Sequence, residues 1–355
     1  MSLINKYRPQ FFKDVKGQDT IVNTLIKSIK SNKLHNAYLF AGKYGTGKTT
    51  LARLLAKGIN CLDFNNDLCG KCLGCDDNQN VFDIVELDAA SNRGIDEIRK
   101  IKSDSGLLPI NLKHKVYIID EAHQLTSQAS NAFLKTLEEP SSRTKFIFCT
   151  TEPNKLLNTI KSRCLPFYLK TIRLTHIKER LEQIVELEGY KLKDSRILFK
   201  IAEKSNNTLR DAVNYLDLCL QNVKDDKYLT LEIIDSSLNL LDDSSMFNLL
   251  DYLVAGKEAK FFNELNCLVK NGKNYADIIS FLTAQVKEII FVKRGIVAKI
   301  NPYKLKIIKE KVYPISKLVT ILSLLIKTNS QITGYVNPKD FSELAFLKLL
   351  LANKG

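Results

Sequence analysis

Residues 37–50 read Ala37-Tyr38-Leu39-Phe40-Ala41-Gly42-Lys43-Tyr44-Gly45-Thr46-Gly47-Lys48-Thr49-Thr50. A short apolar run enters a glycine-rich turn, and the turn gives way to a helical pattern over 48–60. The turn fits G-x-x-x-x-G-K-[ST], a strand–loop–helix unit that wraps phosphates in backbone N–H groups. Gly42, Gly45 and Gly47 let the loop curl, with Thr46 and Thr50 beside them. The helix N-terminus adds favourable partial charge. Lys48 is expected to reach the β and γ phosphates, and the Thr49 hydroxyl to bind Mg²⁺. The expected ligand is therefore ATP with Mg²⁺. A glycine-rich turn without a ligand is the alternative, and the flanking strand and helix count against it.

Working outward, apolar runs at 37–41, 84–87, 116–119 and 145–149 alternate with helical patterns at 18–33, 48–60, 95–103 and 127–138. Runs without polar alternation suit strands covered on both faces, and strands separated by helices predict an α/β fold with a parallel sheet. After about Lys170 the strand signal disappears. Amphipathic helices are expected at 175–187, 195–204 and 209–220, then longer ones from about Leu241, punctuated by Gly256, Gly272, Pro302 and Pro314. Boundaries fall near 170 and 240.

A phosphate loop needs an acidic residue at the end of a neighbouring strand. Val116-Tyr117-Ile118-Ile119-Asp120-Glu121 supplies two. Asp120 is expected to serve Mg²⁺, and Glu121 to polarise an attacking water. An apolar run ending in Asp-Glu is common by itself and gains meaning only downstream of the loop.

Four of the eight cysteines form Cys61-x7-Cys69-x2-Cys72-x2-Cys75. Four soft ligands at this spacing favour a closed, structural, tetrahedral Zn²⁺ site. A redox-active pair or an iron–sulfur cluster are the alternatives, and no thioredoxin-like context accompanies the former. Cys149, Cys164, Cys219 and Cys267 read as small core residues.

Composition narrows less. The 355 residues suffice for two or three domains, and 45% hydrophobic with 26% charged content is that of an ordinary globular chain. A formal charge of +14 invites a nucleic-acid partner, while lysines scattered over solvated helix faces explain it equally well. The lysine-rich stretch 287–311 is read as solvated. No apolar run approaches the length of a membrane span, the first residues lack the apolar core of a signal peptide, and the expected location is cytoplasmic.

Several motifs then line up in one order. Tyr7-Arg8-Pro9 and Phe12-Lys13-Asp14-Val15-Lys16-Gly17-Gln18 precede the phosphate loop. Ile119-Asp120-Glu121-Ala122-His123, Asn131-Ala132-Phe133-Leu134-Lys135-Thr136-Leu137-Glu138-Glu139-Pro140, Thr150-Thr151-Glu152-Pro153, Ser162-Arg163-Cys164 and Leu209-Arg210-Asp211-Ala212 follow it. Over about residues 4–220 the chain resembles the AAA+ clamp-loader ATPases, and among them the bacterial DNA polymerase III gamma/tau family. The resemblance implies an ATPase domain over 1–170 with an inserted zinc module at about 61–75, a helical lid over 171–240, and a helical oligomerising collar over 241–355.

The resemblance also implies roles. Arg8, Pro9 and Val15 would line the adenine pocket. Thr151 would be the first sensor, orienting the lytic water, and Arg210 the second, reaching from the lid to the γ-phosphate. Arg163 would be the finger that one subunit inserts into its neighbour's site. Ser91, Asn92, Arg93 and Arg99 at the head of a helix would hold duplex phosphates, the alternative being a capped surface helix. Asn206-Asn207-Thr208 stands where relatives usually carry Gly-Ser, which leaves the start of the lid helix open.

The implied partners are other clamp-loader subunits in a hetero-oligomeric ring, a sliding clamp and primer–template DNA, with no membrane. Tau-type members extend beyond the position of Gly355 to reach polymerase and helicase. Two alternatives stand beside a motor subunit. A delta-prime subunit shares the zinc module and the arginine finger but typically has a damaged phosphate loop. A scaffold that binds nucleotide without hydrolysing it would not need Glu121, Thr151 and Arg210.

Overall fold

Strand periodicity sorts the apolar runs into two layers. The first unit, Met1–Lys191 with Leu198–Gln221, is built on parallel strands β1 (Ala37–Ala41), β2 (Ile84–Asp88), β3 (Lys115–Asp120), β4 (Thr144–Thr150) and β5 (Leu165–Tyr168), in the order β2-β3-β4-β1-β5. Successive side chains of a strand point to opposite faces. Tyr38, Phe40, Val116, Ile118, Ile147 and Cys149 therefore fill one core, and Leu39, Tyr117, Ile119, Phe146 and Phe148 the other. Both faces are buried, which is why these runs show no polar alternation. The computed structural model describes residues 2–76, 82–91, 95–139, 141–223, 227–239, 243–296, 302–331 and 338–352.

The helices of this unit are α1 (Leu3–Lys6), α2 (Asp19–Lys30), α3 (Lys48–Asn60), α4 (Ile95–Ser105), α5 (Ser127–Glu138), α6 (Asn158–Lys161), α7 (Leu174–Leu187), α8 (Arg196–Lys204) and α9 (Leu209–Gln221). Val22 and Leu25 of α2 and Leu51, Leu54 and Leu55 of α3 cover the first face; Ile98 and Ile101 of α4 and Ala129, Phe133 and Leu137 of α5 cover the second. Phe133 stands edge-on to Phe146 and Phe148, with centroids 5.9 and 5.5 Å away. Burying one such ring contributes about 1.5–3 kcal/mol.

β5 lies outside the sequence expectation. It is a four-residue edge strand with partly buried and exposed residues alternating, and Pro166 sits opposite Leu39. Proline breaks a ladder and is tolerated at an edge, so the residue that hid the strand also explains its place. The position of β4 matters most for function. It lies between β1 and β3, with Thr150 in register with Ala41. The ends of β1, β4 and β3 therefore emerge side by side, and with them the phosphate loop, Thr150-Thr151 and Asp120-Glu121.

The start of α9, open in the sequence, is resolved by local chemistry. Asn206 and Asn207 take left-handed conformations (φ 50° and 64°), which asparagine tolerates better than most residues. Thr208 Oγ1 then donates to Asp211 Oδ2 (2.6 Å) and accepts the Asp211 N–H (3.4 Å), a cap at the head of the helix.

The second unit is Leu192–Ile197 with Asn222–Gly355. It contains α10 (Leu231–Ser237), α11 (Asp243–Val254), α12 (Glu258–Lys270), α13 (Tyr275–Lys293), α14 (Pro302–Glu310), α15 (Ile315–Gln331) and α16 (Pro338–Ala352). A short two-stranded ribbon, unexpected from the sequence, joins Lys193 N–H to Leu229 O at 3.1 Å. Met246, Leu253, Phe261, Leu282, Ile321 and Phe346 belong to one continuous core. Gly272 follows α12, Pro302 opens α14, and Pro314 precedes α15. In the stretch expected to carry solvated charges Lys287, Lys306 and Lys309 are exposed, whereas Lys311 pairs with Asp251 and Lys293 donates to Lys311 O (3.1 Å). Cys267 corrects an expectation: it is exposed, because Phe261, Leu265 and Leu268 turn the other side of α12 to the core. Cys149, Cys164 and Cys219 are buried as expected. Among the described residues no helix is long and apolar enough to cross a membrane.

Candidate functional site

The loop between β1 and α3 is shaped by its own chain. Gly42 N–H donates to Thr150 O (3.2 Å), and Thr46 Oγ1 donates to Lys43 O (2.7 Å). Gly45 and Gly47 have φ of 71° and 99°. A Cβ at Gly45 would also stand 2.8 Å from Thr208 Cβ, so glycine is needed there for space as well as for conformation. Lys48 is buried, and its Nζ donates to Gly42 O (3.1 Å) and Lys43 O (3.2 Å). Burial lowers its pKa, against the opposing pull of Glu121 and Asp120.

Two hydroxyl–carboxylate pairs sit at the strand ends. Thr49 Oγ1 donates to Asp120 Oδ2 at 2.6 Å, and Thr151 Oγ1 donates to Glu121 Oε2 at 3.1 Å. Glu121 holds a left-handed backbone (φ 45°), and its N–H is bound by Asp120 Oδ1 at 2.9 Å. Strain of this kind costs about 1–3 kcal/mol and collects at functional sites. His123, which the sequence reading did not single out, joins the group. Its Nδ1 lies 3.1 Å from Thr150 Oγ1 and 3.4 Å from Glu121 Oε2, and its Nε2 lies 3.6 Å from Glu152 Oε1. The one-turn 3₁₀ helix Ala122–Gln124 folds it back beside the acid two residues earlier.

A cleft opens over this floor. Arg8, Pro9 and Val15 line one wall and Leu209, Arg210 and Val213 another, with Gly45 to Thr50, Asp120 and Glu121 below. The Arg210 guanidinium lies over the half-exposed Tyr44 ring, 5.1 Å from its centroid, so Tyr44 links the phosphate loop to α9. Arg53 makes a two-point pair with Glu86 (2.7 and 2.8 Å) at the edge of the cleft. Arg163 does not line this cleft. It pairs with Glu138 (2.6 Å) and donates to Thr159 O (2.9 Å), and it remains one-third exposed.

Ser91 Oγ donates to Asp88 Oδ2 (3.1 Å), and Arg99 is exposed on α4. Asn92 and Arg93 lie outside the described residues.

The four clustered cysteines form a second constellation. Their Sγ atoms all lie within 4.8 Å of one another, with Cys72–Cys75 at 3.4 Å and Cys69–Cys75 at 3.9 Å, and none is in a disulfide. A tetrahedron with metal–sulfur bonds of about 2.3 Å has edges of about 3.8 Å, so four thiolates here fit one Zn²⁺. Burial pushes the Cys61 and Cys75 thiols up, while the Lys71 backbone N–H brings Cys69 down to about 6.

Sheet order and phosphate loop define an AAA+ fold. The solved Thermotoga maritima RuvB Holliday junction branch migration motor has the same fold, with a TM-score of 0.52 at 18% identity over 70% of this chain and 79% of that one. Residues 17–173 match the family described as DNA polymerase III, delta subunit. DNA polymerase III subunit gamma of Buchnera aphidicola subsp. Acyrthosiphon pisum (strain APS) is 35% identical across 78% of this chain and 77% of that protein. The gamma/tau subunit of Mycoplasma genitalium is 40% identical across 79% of this chain and 47% of that protein. The chain belongs to the DNA polymerase III gamma/tau family. It spans about half the length, or less, of several of the relatives it matches.

Proposed function

We propose that this chain is an ATP-hydrolysing motor subunit of a bacterial DNA polymerase III clamp loader, opening a sliding clamp and loading it onto primed DNA in the cytoplasm during replication. The carrying observation is that Lys48, Thr49, Asp120 and Glu121 share one cleft floor, where Thr49 is hydrogen-bonded to Asp120 and Glu121 accepts the Thr151 hydroxyl from beside it. Lys48 and the loop residues Gly42, Gly45, Thr46, Gly47 and Thr50 would cradle the phosphates. Thr49 and Asp120 would hold Mg²⁺, which when bound neutralises charge on the β and γ oxygens. Glu121 accepts the proton of the attacking water, and Thr151 orients that water. Arg210 reaches the γ-phosphate from α9, and Arg8, Pro9 and Val15 enclose the base.

Cys61, Cys69, Cys72 and Cys75 would hold a structural Zn²⁺. Ser91, Asn92, Arg93 and Arg99 would hold duplex phosphates, reading shape and not sequence. The working division remains ATPase domain 1–170, lid 171–240 and collar 241–355, with the collar meeting other loader subunits. A delta-prime-type subunit is the second reading, and the match to the family described as DNA polymerase III, delta subunit, speaks for it. The intact Gly47-Lys48-Thr49 favours the motor, and Glu121, Thr151 and Arg210 together count against a scaffold that never turns over.

Arg163 is off its own cleft, which supports a role in the neighbouring subunit's site. There it would add positive charge where the transition state gathers negative charge. In the test, Arg163→Ala chains and Lys48→Ala chains are mixed in one complex. Activity should return wherever an intact Arg163 faces an intact phosphate loop. Mixed complexes that form and stay inactive would remove the interface mechanism.

A further inference from the structure

The residues that enclose the base belong to a segment pinned at both ends. Near its start, Leu3 N–H donates to Asp217 Oδ2 of α9 (3.1 Å), and Arg180 Nη2 of α7 donates to Tyr7 O (2.8 Å). Near its end, the segment is held by the loop that carries the four cysteines. Asp67 Oδ1 accepts the Phe12 N–H (2.8 Å), and Asp67 Oδ2 accepts the Lys13 N–H (3.1 Å). Phe12, fully buried, stands edge-on to Phe64, with centroids 6.2 Å apart. The Phe11 ring packs so closely on Gly70 that a Cβ there would lie 3.1 Å from it. Arg8 and Pro9 line the cleft between these anchors, and Val15 lines it just after the second.

The chemistry of the second anchor is specific. Phe12–Asp14 is a single 3₁₀ turn, and the first N–H groups of any helical turn find no acceptor within it. Asp67 supplies that acceptor from 55 residues away, with one oxygen on each of two adjacent N–H groups. Bonds to a carboxylate are about twice as strong as neutral ones. Asp67 lies between Cys61 and Cys69, so its position depends on how that loop is folded, and closing four thiolates on one ion would fix the fold.

We propose that the cysteine module is a clasp on the base-side wall of the nucleotide cleft, and that Asp67 is the positioning residue through which it acts. The proposal rests on the nucleotide reading above. The module thus sets how tightly the base is held and leaves the phosphate end to its own loop. Metal loading and ATP affinity are thereby coupled, although no cysteine lines the cleft.

Zinc-loaded wild-type, Asp67→Asn and Asp67→Ala chains are titrated with ATP and, separately, with inorganic tripolyphosphate, which has no base. Zinc content is measured on each. Asn keeps one acceptor oxygen but turns an amide N–H toward a backbone donor, so both variants should weaken ATP binding. The expected loss is about tenfold for Asp67→Ala, or about 1.4 kcal/mol, with tripolyphosphate affinity, zinc content and saturated turnover near wild type. Stripping zinc from the wild type should produce the same selective loss, reversed by added zinc. Stripping it from Asp67→Ala should add nothing further. Unchanged ATP affinity in both variants overturns the clasp, as does an equal loss of ATP and tripolyphosphate. A wild-type chain that binds neither ligand overturns the nucleotide reading itself.

Discussion

The two ends of the cleft are built on different principles. At the phosphate end, residues 42–50 and 120–121 bring donors and acceptors to fixed points, and Gly45, Thr46, Gly47, Lys48, Thr49, Asp120 and Glu121 are each constrained by a hydrogen bond or a backbone angle. At the end proposed for the base, Arg8, Pro9 and Val15 line the cleft together with Leu209 and Val213, drawn from stretches about 200 residues apart. Directional chemistry demands particular residues at particular spacings and so leaves a motif. Apolar enclosure demands only matching shape, which many residue combinations supply. One end is defined by its atoms and the other by what holds it in place.

The contrast can be broken most sharply at Glu121. Glu121→Gln should lower turnover by about 1,000-fold while ATP affinity stays near wild type, since the acceptor for the water's proton is lost and the binding groups are not. Rapid turnover by that variant would mean that another group is the base, and His123 would be the first to examine. Next in size is Lys48→Ala, which should weaken ATP and tripolyphosphate together by about 100-fold or more, because it removes charge-assisted bonds to both. If only ATP suffers, the division between the two ends is wrong. The smallest effect belongs to the base wall. Val15→Ala removes two methyl groups' worth of enclosure and should cost about fivefold in ATP affinity, with tripolyphosphate unmoved. Calorimetric titration of each ligand measures all three binding effects, and steady-state kinetics the first.

What the sequence revealed follows the same division. The strand at 37–41, the helix at 48–60 and the helix at 127–138 stand where periodicity and the glycine pattern put them. Asp120 and Thr49 were expected at one site, and there the Thr49 hydroxyl donates to Asp120 Oδ2 at 2.6 Å. β5 escaped notice because four residues with a proline carry too little signal. His123 escaped because its contacts with Thr150 and Glu152 are made by folding, 27 and 29 positions along the chain. Asp67 looked like one polar loop residue among several between cysteines, and nothing local hints at two N–H groups 54 and 55 residues earlier. Cys267 was misread because an apolar neighbourhood in sequence spans every face of a helix. The second unit was legible as helices and no more, since helical periodicity reports a buried face without naming what lies against it.

The anchors at Leu3 and Tyr7 bear on how this molecule tolerates handling. The first residues of most domains are loosely held, and affinity tags or deletions there usually do no harm. Here Leu3 and Tyr7 are the near abutment of the segment that lines one wall of the cleft. Removing residues 1–6, or forcing a bulky group hard against Leu3, would slacken that segment at one end while every residue of the phosphate loop stayed in place. A preparation altered in this way would look folded, keep its four-cysteine cluster and still be a poor binder of ATP.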